Sequence, residues 1–390
     1  MMWTRPQLRI SLRAAVCMMA LVVVSSATGM DAGPWDKFLW QTCRTTNITA
    51  ASTNLIEELR SEVQKILDAG PLAPLRTVYA DLEQDPYFLY WQGGRIITTL
   101  AMAWPHLTSA QKQGVRTYVR NELQDEKRAP WSAKGFIPPE SGARRELHSF
   151  HEPRGWERYW QMWGNKKPVM GSFYGLWLYG DRSGDWETLQ DHYSQLTALY
   201  SRKTTQCELY GTMGAHIALA RIARRFADTR MMDAAVSNAV ASFQTGTNFA
   251  AVERATQKYW KERYEARQRG LIYQGWMFLD LCPEVGRYVS EQVKDAALKR
   301  HSEGLKQYPF FWLREAPYFS RWTGDEGVGI PTELMGMIVP MERWVAGASP
   351  ETLALYTRST PICAGDCYWL EALVHAIEAS GKTEWVQVRP

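Results

Sequence analysis

Tyr273 stands four residues after Arg269 in the segment Arg267-Gln-Arg269-Gly-Leu-Ile-Tyr273-Gln-Gly-Trp276. A free tyrosine has a pKa of about 10, so it serves as a base near neutrality only when cations adjoin it. Arg269 supplies such a cation, and Gly270 and Gly275 let the backbone bend to hold the phenol in a cleft. Two histidines can complete the set. His216 sits in Tyr210-Gly-Thr-Met-Gly-Ala-His216, at the start of an Ala-rich helix, and His151 sits in His148-Ser-Phe-His151-Glu152. Either can exchange a proton near neutral pH. His216 equally fits a hydrogen-bonded core histidine, and Tyr273 a buried ring in a packed connector. A tyrosine and a histidine as base and acid, in either order, with an arginine beside them suit abstraction of an acidified C–H beside a carboxylate. The guanidinium would neutralise that carboxylate and stabilise the charge that develops.

Aromatic residues accompany these groups. The chain holds 18 Trp, 18 Tyr and 12 Phe, and many fall in loop-like stretches rather than at helical core spacing. Trp91 closes Tyr87-Phe-Leu-Tyr-Trp91, Trp156 opens a run through Trp163, and Trp312 and Trp322 lie in a third cluster. Rings in clefts stack on the apolar faces of sugars while polar neighbours bond the hydroxyls. Trp91, Trp156, Tyr210, Trp312 and Trp322 are therefore candidate sugar contacts, and Arg95 and Arg314 are candidate partners for an acidic substituent. Most of the other rings are expected to fill the core.

Two other chemistries use different residues. A glycoside hydrolase needs two carboxyl groups, about 5–5.5 Å apart if retaining and about 6.5–9.5 Å if inverting. Glu152, Asp325, Glu326 and Asp366 are the candidates. A non-catalytic glycan-binding protein would keep the aromatic cleft without either constellation. The chain has no GxSxG, HExxH, P-loop or helix-opening GxGxxG, so no cofactor is expected. No metal is expected either: His148, His151 and Glu152 could form a fragment of a site, but a site takes three or four ligands.

The elements that must position these residues are helical. Leu55, Leu59, Val63, Ile66 and Leu67 share one helix face before a Gly70-Pro71 stop. Ile96, Ile97, Leu100 and Trp104 mark a second helix ended by Pro105, and Ser109 is placed to cap a third. Further helices are expected from Phe173 to Tyr179, Trp186 to Tyr200, Glu208 to Phe226 and Met231 to Phe243. Later ones should cover about 288–306, 332–345 and 367–379. Long strands with period-two alternation are not seen. Amphipathic hairpins over some 300 residues cannot each bury an apolar face alone and must stack. No period of 34 or 40 residues recurs, and no Pro/Ser linker divides the chain.

The formal charge of +4 overstates the basic character. Arg5, Arg9 and Arg13 precede the first acid, Asp31, and without them 42 Lys and Arg face 41 Asp and Glu. A general nucleic-acid binder needs a dense basic face, so none is expected as partner. Residues 1–27 read as a cleavable signal peptide: a basic start, an apolar run from Ala14 to Val24, and small residues at Ser25 and Ala27. The run is far shorter than the roughly 20 residues that span a bilayer. The expectation is a secreted or periplasmic protein, free of the membrane after cleavage, with residues 28–390 as one domain. Five cysteines then remain, and Cys363 and Cys367 are near enough in sequence for a local disulfide.

The segments Tyr174-Gly-Leu-Trp177-Leu-Tyr-Gly-Asp181-Arg-Ser-Gly-Asp185 and Ala218-Leu-Ala-Arg-Ile-Ala-Arg-Arg-Phe-Ala-Asp228 resemble the α/α-toroid carbohydrate enzymes. These include six-hairpin glycosidases and polysaccharide lyases of the alginate and glucuronan lyase type. The resemblance implies an all-α toroid over residues 80–380, with long loops lining a cleft at one end. It also implies a lyase acting on a uronic-acid polysaccharide by β-elimination. Tyr273 would then be catalytic, with His216 or His151 as its partner and Arg269 at the substrate carboxylate.

Overall fold

A computed structural model of the chain describes residues 32–70, 93–124, 170–203, 209–264, 276–312, 331–359 and 366–389. They belong to one unit, Ala32–Pro390. The fold of this unit is mostly helical. Among the described residues no helix is long and apolar enough to cross a membrane.

A helical turn, α1 (Asp36–Leu39), leads into strand β1 (Gln41–Thr46). Helices α2 (Thr53–Ala69), α3 (Gly93–Ala103) and α4 (Ser109–Gln124) follow. Next come α5 (Met170–Ser183), α6 (Trp186–Gln190) and α7 (Tyr193–Lys203), then α8 (Leu209–Arg225), α9 (Thr229–Gly246) and α10 (Phe249–Tyr264). The last group is α11 (Pro283–Gln292), α12 (Lys294–Gln307), α13 (Pro331–Met341), α14 (Pro350–Leu355), α15 (Cys367–Ala379) and strand β2 (Lys382–Gln387).

Local chemistry sets most boundaries. Asp185 and Asp228 each accept a backbone N–H at the start of α6 and α9. Gly70 adopts φ 59° and ends α2. Other boundaries differ from the sequence expectation. The capping hydroxyl of α4 belongs to Thr108, 3.2 Å from the Gln111 amide, rather than to Ser109. Helix α5 runs on past Tyr179 and stops at Gly184, whose φ is 74°. The helix expected over 288–306 breaks at Val293 into α11 and α12. Pro340, which cannot donate to the helical ladder, precedes a π-turn over Glu342–Ala346 that ends α13.

The strands were not expected. β1 and β2 pair antiparallel with Gln41 opposite Gln387 and Thr46 opposite Lys382. They tie the start of the unit to its end. Neither alternates cleanly between buried and exposed positions, so the sequence carries no period-two signal.

Helix α3 packs on α5, α5 on α8, α8 on α11, α11 on α13, α13 on α15, and α15 on α3. Helix α2 packs on α4 and α15, α9 on α8 and α10, α12 on α11 and α13, and α14 on α15. Glycine permits the closest approaches at two of these helix contacts. A Cβ on Gly175 would collide with Thr98 across the α3–α5 contact, and one on Gly336 with the Tyr368 ring across α13–α15. Helix α15 is buried on all sides from Cys367 to Glu378, as befits a helix inside a helical shell.

Candidate functional site

Helix α15 is apolar except for one stripe. Glu371, His375 and Glu378 recur at four- and three-residue intervals and so share a face. On α3 intervals of three and four align Arg95, Thr98 and Met102, and on α5 two intervals of four align Tyr174, Leu178 and Arg182. All nine residues line one cavity, together with Thr42 and Cys43 of β1, the Asp280–Pro283 stretch before α11, Pro340 and Trp344. A cluster of polar groups therefore sits inside the apolar helical packing.

Arg95 organises one part of it. Its two terminal nitrogens bond Asp280 and Glu371 separately, and its guanidinium lies 4.2 Å from the centre of the Tyr368 ring. The Thr99 hydroxyl is 2.7 Å from the second oxygen of Glu371. Burial pushes the Glu371 carboxyl up, against the pull of Arg95 and Thr99. Asp280 has φ 60°, a left-handed conformation that aspartate tolerates better than most residues. Backbone strain of this kind gathers where geometry is over-determined.

Glu378 organises the other part. Arg343 lies 3.0 Å from it, Arg182 3.6 Å and His106 3.8 Å. Burial alone would raise this carboxyl, but Arg343 and Arg182 hold it well below the usual carboxylate range. His375 is held down to about 3 by burial and by Arg343. It is therefore a neutral imidazole at neutral pH. An arginine can only donate, so Nδ1, 3.3 Å from the Arg343 Nη1, is the acceptor and the proton sits on Nε2.

A third buried group lies beside the cavity. Tyr174 donates to Glu284 at 2.8 Å, and Glu284 pairs with Arg221 at 2.9 Å. Arg221 also bonds the carbonyls of Leu39 and Gln41 and stacks on Trp177. It ties α8 to α1, β1 and α11.

The residues picked out from the sequence are distributed differently from that expectation. Arg95 lines the cavity, but both its terminal nitrogens are committed to protein carboxylates and it is 3% exposed. His216 is buried between α7, α8 and α9. The Tyr200 hydroxyl meets its Nδ1 at 2.6 Å, Asn238 donates to that same hydroxyl, and burial lowers the imidazole to about 4. This is the core-histidine arrangement, and His216 is not among the cavity-lining residues. Tyr210 is 1% exposed, stacks on Phe278 and donates to the Gly246 carbonyl, so it offers no face to a sugar. Trp312 is half-buried against Phe311 and Tyr356, beside the exposed ring of Phe310. Asp366 is fully buried and caps α15 by accepting from the Trp369 amide. Tyr273, Arg269, His151, Trp91, Trp156, Arg314, Trp322, Glu152, Asp325, Glu326, Cys207 and Cys363 lie outside the described residues. Among the described residues no group of three or more His, Cys, Asp and Glu could hold a metal.

Asp280, Glu371, His375 and Glu378 are functional-site candidates that only the structure brings together. The signal was available on α15: three titratable residues on one face of an otherwise apolar helix. Comparison with known proteins finds no family model, no curated protein and no solved structure that matches the chain.

Proposed function

We propose that the helices form an α/α toroid and that the protein is an exported polysaccharide lyase acting on an acidic glycan. One observation carries the reading. The pairings α3–α5–α8–α11–α13–α15 return to α3, as an inner ring of helices would. The sequence segments holding Trp91, His151 with Trp156, Arg269 with Tyr273, and Arg314 with Trp322 each come just before one member of that ring. In a toroid of alternating outer and inner helices those entries share one end. There the N-terminal dipoles of the inner helices add positive potential, which favours a polyanion.

In this reading Arg269 sits at the substrate carboxylate and lowers the barrier to removing the C5 proton. Tyr273 takes that proton as the C4–C5 double bond forms and the C4–O4 bond breaks. His151 returns a proton to the departing O4. The buried pairing of His216 with Tyr200 leaves this role to His151. Trp91, Trp156 and Trp322 are the sugar platforms.

A second reading has its own support. Asp280 and Glu371 come from different elements and line the same cavity, as the two carboxyls of a six-hairpin glycosidase would. Against it, both are tied up by the one Arg95 guanidinium.

The test is a panel of alginate, glucuronan and pectate, followed by the ultraviolet absorbance of the new double bond with and without chelator. Absorbance that vanishes in Tyr273→Phe supports elimination. New reducing ends without absorbance would move the assignment to hydrolysis, and silence on every glycan would sink both.

A further inference from the structure

We infer that the cavity between α3, α5 and α15 binds a small neutral polyol, such as the hydroxyl-bearing end of a sugar. Its water-accessible space is about 50 Å³. One water needs at least about 10–15 Å³, so the space admits a cluster of roughly four oxygen-sized groups.

Arg95 Nε, Arg182 Nε and Trp344 Nε1 belong to lining residues, and Arg343 Nη2 lies beside them on the guanidinium that holds Glu378. All four are buried N–H groups with no hydrogen-bond partner among the described residues. Buried donors in folded proteins are almost always satisfied, so three orphans on lining residues and a fourth on the neighbouring Arg343 point to a guest that brings acceptors.

Charge then selects the guest. Arg95, Arg182 and Arg343 face Asp280, Glu371 and Glu378, three positive groups against three negative. His375 adds no charge at neutral pH. An anion would bury a net negative charge among three carboxylates, at high cost. A cation would leave the orphan donors unmet. A neutral hydroxyl accepts from an N–H and donates to a carboxylate oxygen. The apolar part of the lining, Met102, Leu178, Leu281 and Pro340, suits the carbons of a polyol.

Binding follows from the cavity alone; only the identification of the guest as a sugar end rests on the proposed glycan activity. The experiment is titration of the full chain with ethylene glycol, which has four non-hydrogen atoms, and with glycerol, with acetate and chloride as anionic comparators, read by calorimetry and by thermal unfolding. Polyols stabilise proteins generally by exclusion, so the decisive signal is saturable binding. Trp344→Phe keeps an aromatic ring and removes one orphan donor; Arg182→Lys keeps the charge and removes another. Saturable polyol binding that weakens about tenfold in either variant supports the site. Tighter binding of acetate or chloride would overturn the neutral class. No saturable polyol binding, or binding untouched by both substitutions, would overturn the site and leave the cavity to water. Polyol binding in a chain inactive on every polysaccharide would remove the lyase assignment and leave this one standing.

Discussion

Arg221 and Glu284 form an ion pair at 2.9 Å in which neither side chain has exposed surface. The pair joins α8 to α11, and Arg221 carries the carbonyls of Leu39 and Gln41 on its remaining nitrogens. Removing one partner strands the other charge in the interior, which costs about 3–5 kcal/mol. Arg221→Met should destabilise the chain by that amount in urea unfolding and raise hydrogen exchange over residues 36–46 first. The double variant Arg221→Met, Glu284→Gln should recover part of the loss, because no unpaired carboxylate remains. Equal loss in the single and double variants would show that the backbone contacts, not the charge, carry the effect.

His216 makes a prediction about acid. Its folded pKa is lowered to about 4, whereas an unfolded histidine titrates near about 6.5. Between those values the unfolded state binds more protons, so stability falls as pH drops from about 6.5 to about 4. The full effect is roughly 3 kcal/mol at one protonation per group. His375, held down to about 3, adds a contribution of the same sign that persists to lower pH. Unfolding free energy measured across pH 4–7 should show this slope, and His216→Gln should flatten it. A His216 carbon resonance that titrates near pH 6.5 in the native protein would contradict the buried pairing with Tyr200.

The Gly336 contact tests the packing itself. Helices α13 and α15 approach so closely there that an alanine methyl would enter the Tyr368 ring. That ring in turn lies against the Arg95 guanidinium. Gly336→Ala should cost about 1–3 kcal/mol through forced displacement. Gly304→Ala, where an added Cβ meets nothing within 4 Å, should be neutral or slightly stabilising because alanine favours the helix. Thermal unfolding of the two variants side by side checks both signs.

The helices were legible because their signals are local. Aspartates at Asp185 and Asp228 and apolar spacing within α2, α3, α8 and α15 need no knowledge of the rest of the chain. The β1–β2 pair was not, because its partners stand more than 330 residues apart and neither strand alternates. The site was half legible. Arg95 was chosen for its company of aromatic neighbours, yet its surroundings are Asp280 and Glu371, brought from elements remote in sequence. His216 drew notice as a histidine on a thin helix, and the same thinness lets α7 and α9 approach and bury it. Glu371, His375 and Glu378 were passed over because α15 as a whole reads as core, and the stripe matters only once α3 and α5 present theirs.

Asp280 and Glu371 separate the two proposed chemistries. If elimination runs on Tyr273 and Arg269, these carboxylates act only by holding Arg95. Asp280→Asn and Glu371→Gln keep the shape and one acceptor oxygen of each, so double-bond formation should survive within about tenfold. If the pair performs hydrolysis, either substitution removes an acid or base worth about 10²–10⁴ in rate, and reducing-end release should collapse. Thermal stability must be followed in parallel, because each substitution leaves the Arg95 charge with one full partner instead of two. A variant that stays folded and loses all activity would place the reaction at Arg95 rather than at Tyr273.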